Sequence, residues 1–190
     1  MIKLTLKDYS HLKKIIKNDC LEYQYSLIID DQTYTNDQKC SQFDYRSKEY
    51  WFLKIITALN IKKLPQRYDY IYETMCDFLD DLSHEYCDFK CNKCQGNRAC
   101  TSKHTIDGCC YFHGTQCPFL VNKVCQHRSL SCKIFMCDYL EKKYHFKSTV
   151  DAYPLLNLFF NRAQKELIHF FYRQTKDMVM PKLLALAPQK

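Results

Sequence analysis

The sequence predicts a mainly α-helical chain with a loop-rich cysteine segment in its middle and one short strand or hairpin near the N-terminus. Three observations carry this. Apolar residues recur at helical spacing, most plainly at Ile71, Met75, Phe78, Leu79 and Leu82, the i, i+4, i+7, i+8, i+11 pattern of one buried stripe. Only three glycines occur, Gly96, Gly108 and Gly114, all inside the cysteine-rich stretch. Folds built on many tight βα turns or on a glycine-rich phosphate loop are thereby disfavoured. Ten of the 13 cysteines fall between Cys87 and Cys137, a density that reads as a segment organised by something other than an apolar core.

Taken in order, Asp8 or Ser10 can cap a short helix that buries Leu12, Ile15 and Ile16. Leu21, Tyr23, Tyr25, Leu27 and Ile29 then alternate with Glu22, Gln24, Ser26 and Asp30, the pattern of a half-buried strand. Asp30-Asp31 can turn it, so that residues 33–35 pair back. A second helix is expected over residues 47–60, Pro65 breaks the chain, and a third helix begins near Tyr68. A further helix starts near Cys132 and runs through Leu140 to Tyr144. The last long helix covers about 151–176, with Pro154 in its first turn and Leu155, Leu158, Phe159, Leu167, Phe170 and Phe171 on a broad apolar face. Pro181 marks the tail. The expected organisation is a helical part with a strand over 1–86, a cysteine-rich metal-binding segment over 87–140, and a C-terminal helix over 141–190 packing on the rest as one compact unit.

The 190 residues are enough for a real core. No apolar run approaches the length of a membrane span, and the first residues do not read as a signal peptide, so the expected location is the cytoplasm, with no membrane partner. In a reducing compartment an odd set of 13 cysteines is not a disulfide framework. The formal charge of +7 is unevenly placed. Residues 1–86 hold 12 basic and 14 acidic side chains, residues 87–150 hold 10 and 4, and residues 151–190 hold 6 and 3. The excess lies on and after the cysteine segment. It suits a nucleic-acid partner, or it offsets the charge of about −2 that four thiolates leave around Zn²⁺ or a [4Fe–4S]²⁺ core.

Thiolates are soft donors for zinc, copper(I) or iron–sulfur clusters. Cys91-x2-Cys94 is the chelating turn that zinc and iron–sulfur sites share. Cys109 and Cys110 are adjacent and chelate one ion poorly together, and Cys117-Pro118 matches the Cys-Pro that ends bacterial ferredoxin runs. On a single helix Cys132 and Cys137 would lie about 140° apart, so they share a face poorly. His104, His113 and His127 could replace a thiolate, although each reads first as a solvated loop residue. Cys20, Cys40 and Cys76 stand apart and read as small buried apolar side chains.

The run Gly108-Cys-Cys-Tyr-Phe, then Cys117-Pro-Phe-Leu-Val-Asn-Lys-Val-Cys125, then Arg128 and Cys132-Lys-Ile-Phe-Met-Cys137 resembles the YkgJ-type cysteine-cluster proteins, a family described as zinc- or iron-chelating. The resemblance covers about residues 91–140. It implies Cys91, Cys94, Cys109, Cys110, Cys117, Cys125, Cys132 and Cys137 as metal ligands, with Cys87 and Cys100 as lesser candidates. The chain departs from the family pattern in its extra Cys100, in the shorter Cys125–Cys132 spacing, in Ser129 where proline follows the arginine, and in Lys133 where arginine is usual. A related motif occurs in flagellin lysine methylases, which hints at methyl transfer.

Two function classes follow. One is an iron–sulfur protein, [4Fe–4S] in the first instance, with redox or modification-enzyme work near Asp88, Lys90, Lys93, Arg98, Asp138 and Tyr139; no spacing defends a catalytic set. The other is a zinc-stabilised module for nucleic acid or protein, in which Lys90, Lys93, Arg98, Lys103, Lys123, Arg128 and Lys133 interleave with Phe89, Tyr111, Phe112 and Phe119. A minor alternative is that Cys87-x3-Cys91-x2-Cys94 is similar to the triad of radical SAM enzymes. Lys93 stands where that triad has an aromatic, and the alternating strands and helices of a partial barrel are missing from the sequence.

Overall fold

The computed structural model describes residues 1–87, 89–90, 93–94, 111–112, 115–121, 124–135, 138–146, 149–170 and 174–188. It is mainly α-helical, with a three-stranded sheet near the N-terminus and short hairpins in the cysteine segment. By compactness it divides into two units, one of residues 1–71 with 154–161 and one of residues 72–153 with 162–190. The three-part division read from the sequence follows composition, and these units cut across it.

The first unit opens with β1 (Ile2–Thr5), a 3-10 helix (Leu6–His11) and α1 (Leu12–Lys17). The turn is fixed by Thr5, whose backbone N–H donates to the Asp8 carboxylate at 2.8 Å, part of a capping box. Leu12 is buried, while Ile15 and Ile16 are only half-buried. The strand expected from residue 21 begins later, as β2 (Tyr25–Ile29). Leu21 and Tyr23 are 36% and 47% exposed and lie in or beside the turn before it. The strand is also not half-buried in the simple sense, because Ser26 on its other face is as buried as Tyr25 and Leu27. The alternation also does not reveal that β2 is the central strand of a sheet. β1 pairs in parallel with β2, and β3 (Gln32–Tyr34) pairs antiparallel on the other side, giving the order β1-β2-β3. Asp30 and Asp31 turn the chain with φ of 45° and 63°, the left-handed pair that matches the twist of a tight hairpin.

Helix α2 (Lys48–Asn60) is capped by Ser47, whose hydroxyl accepts the Tyr50 N–H at 3.1 Å. Its Trp51, Phe52, Leu53, Ile55, Ile56 and Leu59 are buried and it packs on β2. At its end Asn60 bridges the sheet. Its side-chain carbonyl accepts the Tyr25 N–H, and its amide donates to the Tyr25 and Thr35 carbonyls, each at 2.8 Å. Arg67 closes the same end, donating to the carbonyls of Leu59 and Ile61 and to the buried Asp19 at 2.9 Å. Helix α6 (Pro154–Phe159) packs on α1 and α2 within this unit.

Helix α3 spans Leu64–Tyr86. Pro65 therefore lies in its first turn and does not break the chain, since an amide there has no intrahelical partner to lose. In the second unit α3 buries Tyr72, Met75, Cys76, Leu79 and Leu82, with Phe78 half-buried beside Tyr153. The helix expected to run from Cys132 to Tyr144 is two pieces, α4 (Leu130–Ile134) and α5 (Asp138–Tyr144). The expected long C-terminal helix is likewise divided, into a 3-10 turn (Val150–Ala152), α6, α7 (Arg162–Phe170) and α8 (Lys176–Ala185). Pro181 lies inside α8 and does not end the helical part. Phe170 is 71% exposed and Phe171 lies outside the described residues, so the expected broad apolar face is narrower. In the second unit it is carried by Ile168 with the buried Gln164, whose amide donates to the Leu183 carbonyl at 2.8 Å.

Candidate metal centre

Between α3 and α4 the described backbone consists of three minimal hairpins. β4 (Phe89–Lys90) pairs with β5 (Lys93–Cys94), β6 (Tyr111–Phe112) with β7 (Thr115–Gln116), and β8 (Leu120–Val121) with β9 (Val124–Cys125), all antiparallel. Each strand has two residues. The cysteines punctuate this pattern. Cys94 closes β5 opposite Phe89, Cys125 closes β9 opposite Leu120, and Cys117 is the residue just after β7.

Cys117 is buried, and its carbonyl accepts the Leu120 N–H at 3.0 Å. That bond closes a turn with Pro118 second in it, where proline's fixed φ is already correct. The Cys-Pro step thus has a local backbone role. The Gln126 N–H donates to the Phe119 carbonyl at 2.7 Å, extending the hairpin by one step. The His127 ring is buried and stacks on Phe119 at 4.3 Å, while the half-buried Cys125 thiol approaches the His127 carbonyl at 3.7 Å. His127 therefore departs from the solvated loop residue expected of it, having an aromatic neighbour.

The chain from Arg128 to Lys133 is fastened along α3. The Arg128 guanidinium bonds Glu73, lies 2.8 Å from Asp77 and 3.5 Å from Asp80, and Lys133 bonds Asp80. Lys176 meets the other oxygen of Glu73 at 2.7 Å. Tyr72 donates its hydroxyl hydrogen to the Arg128 carbonyl at 3.2 Å and accepts the Leu130 N–H at 2.9 Å. Ser131 donates to the Ile168 carbonyl. Burial raises the Glu73 carboxyl, but the hydrogen bonds from Lys176 and Arg128 outweigh it and hold the group below its ordinary range. Burial opposes the charge on Arg128 too, and its bonds to Asp77 and Glu73 win, so it stays protonated. Cys76, fully buried on the same stretch of α3, has its thiol pushed up to about 12 by desolvation.

Comparison with family models, with curated proteins and with solved structures finds no match.

Of the cysteines expected to hold metal, Cys91, Cys109, Cys110 and Cys137 lie outside the described residues, as does the lesser candidate Cys100. Cys94 is placed by its strand. Cys117 is buried, Cys125 and Cys132 are half-buried, and Cys87 follows α3 with its N–H on the Ser83 carbonyl at 2.9 Å. Among the described residues no three His, Cys, Asp or Glu side chains converge as a metal site would require. The helix carrying Cys132 ends at Ile134, so the angular conflict with Cys137 on one helix does not arise. Cys76 is the buried apolar residue expected and Cys40 is half-buried, whereas Cys20 is exposed.

Of the basic residues expected to interleave with rings, Arg128 and Lys133 are paired with carboxylates, Lys90 and Lys93 are placed by strands only, and Arg98, Lys103 and Lys123 lie outside the described residues, together with Asp88, His104 and His113. Phe89, Tyr111 and Phe112 are likewise placed by strands, and Asp138 and Tyr139 open α5. The residues of this arrangement that sequence reasoning passed over are Glu73, Asp77 and Asp80. Their i, i+4, i+7 spacing puts three carboxylates on one helix face, which a charge-pattern reading of α3 could have found.

Proposed function

We propose that this chain is a metal-binding protein whose cysteine segment carries an iron–sulfur cluster, [4Fe–4S] in the first instance, with a redox or modification-enzyme role in a reducing compartment such as the cytoplasm. The observation that carries this reading is the three hairpins of two-residue strands with cysteines at their ends. An isolated hairpin is marginal in water even at greater length, and segments this short need a staple. With thiols the repeated polar feature, a soft metal ion is the staple that fits.

The ligands are drawn from Cys91, Cys94, Cys109, Cys110, Cys117, Cys125, Cys132 and Cys137. A bound cluster would supply one-electron transfer or a Lewis-acidic iron. The chain's own residues contribute the rest. The buried Cys117 sits out of bulk water, the Pro118 turn sets the backbone beside it, and the Phe119–His127 stack covers the hairpin that ends in Cys125. Arg128 and Lys133 are matched by carboxylates, so neutralisation of a cluster falls to the other basic residues of the segment.

The same hairpins suit a tetrahedral zinc site, and this is the second reading, that of a binding module for nucleic acid or protein. Purification without oxygen, followed by iron, sulfide and zinc analysis, separates the two. The expected result is a brown protein with a broad visible band and iron and sulfide in equal amounts. The band falls in Cys117→Ser and Cys125→Ser and persists in Cys20→Ser. A colourless protein with stoichiometric zinc selects the second reading. Protein with neither metal, whose hairpin amides are as protected after chelation as before, overturns both.

A further inference from the structure

Cys132 stands apart from the other described candidate cysteines. It lies on a helix, and that helix is held by side chains on both sides of it. α4 has five residues, too few to keep a helical conformation by itself. Its position comes from its tethers to α3 and α7. Arg128 is on Glu73 and Asp77, the Leu130 N–H is on Tyr72, Ser131 is on Ile168, and Lys133 is on Asp80. Lys133 is only 5% exposed, so its ammonium is committed to the Asp80 carboxylate and is not a surface charge that happens to lie near. Residues on both sides of Cys132 are thus bound to a helix of 23 residues.

We propose, building on the metal reading above, that Asp80, Lys133 and Arg128 are positioning residues for Cys132, holding it ready as a ligand before an ion arrives. Cys94 and Cys125 lie on strands of two residues and Cys117 just after another, so their placement leans on the ion. A ligand already fixed to a rigid element lowers the ordering cost of binding. The site is therefore asymmetric, with one ligand held on a tethered helix and the other described candidates on or beside minimal hairpins. The clamp is neutral as built, with Glu73, Asp77 and Asp80 facing Arg128, Lys133 and Lys176. It thus positions the thiolate without adding net charge beside it.

The test uses cobalt(II) added to the reduced, metal-free full chain without oxygen, because the thiolate-to-cobalt absorption reports the number of sulfur ligands. D80N/K133M removes both charges together and leaves no unpaired buried ammonium; D80E keeps the pair. The expected result is that D80N/K133M keeps the wild-type helical signal and binds cobalt about tenfold more weakly, with a weaker thiolate band. Amide exchange over residues 128–133 of the metal-free protein quickens, and D80E restores wild-type affinity and band. Unchanged affinity and band in D80N/K133M overturn the inference while leaving the metal reading in place, as does unchanged exchange. A wild-type chain with no thiolate band overturns the positioning role, while the metal reading is decided separately by the iron, sulfide and zinc analysis.

Discussion

Cys76 shows how burial alone separates one thiol from the rest of a cysteine-rich chain. It is fully buried between Tyr72 and Asp80 in sequence, and desolvation keeps its thiol protonated at neutral pH. Such a residue behaves as a small apolar side chain. Cys76→Ala is expected to cost about 1 kcal/mol, and Cys76→Ser to cost about 1–3 kcal/mol by burying a hydroxyl with no assured partner. Metal content should be unchanged in both. Urea midpoints and metal analysis of the two variants check this, and a loss of metal in Cys76→Ala would contradict it. Residue identity was legible here because an isolated cysteine within a buried stripe has few other uses. Cys20 and Phe170 show the limit. Their exposure is set by where an element begins or ends, which a side chain's own polarity does not encode. Ser129 carries another local cost. Its hydroxyl is buried and has no partner among the described residues, and its φ of −105° lies outside proline's range. That backbone accounts for a residue other than proline after Arg128.

At the scale of elements, the sequence was most informative where a single chain segment decides the outcome. α2 and its Ser47 cap, the Asp30-Asp31 turn and the buried stripe of α3 all follow from local spacing. It was least informative where a distant strand decides. β1 has only four residues, Ile2–Thr5, too short a run of alternation to stand out by itself, and its parallel pairing with β2 is a contact that local spacing cannot show. The breaks after Ile134 and Phe159 were missed because apolar spacing continues across them. The turn offers a test of the element reading. Asp31 holds a φ of 63°, which costs a residue with a Cβ and costs glycine nothing. Asp31→Gly is therefore expected to stabilise the first unit by up to about 1 kcal/mol, read as a higher urea midpoint. A lower midpoint would show that the Asp31 side chain contributes more than its backbone costs.

For the whole molecule, ion pairs in both units link stability to acid. In the first unit burial raises Asp37, yet the bond from Lys54 at 2.6 Å and a further one from Tyr70 hold it below its ordinary 3.8. In the second, Glu73 is held below its ordinary 4.5. A carboxyl depressed by folding stabilises the fold above its ordinary value, and that contribution is lost as pH falls through the depressed one. Urea midpoints should thus hold from pH 7 to about pH 5 and decline below about pH 4.5. Glu73→Gln should start lower at pH 7 and lose less on acidification. A midpoint that is flat or rising from pH 5 to pH 3 would refute this. No helix among the described residues is long and apolar enough to cross a membrane. The ion pairs that fasten residues 128–133 along α3 are legible only in part, because thiol spacing in the sequence carries no information about the acidic face of α3.

The small sheet has a consequence for self-association. Its outer strands are β1 and β3, of four and three residues, and Lys3, Thr5, Gln32 and Thr33 on them are exposed. Short polar borders of this kind are poor templates for a neighbouring chain to add a strand. At high concentration the N-terminal sheet should then resist growth into amyloid-like ribbons, although β2 between them is among the most apolar stretches of the chain.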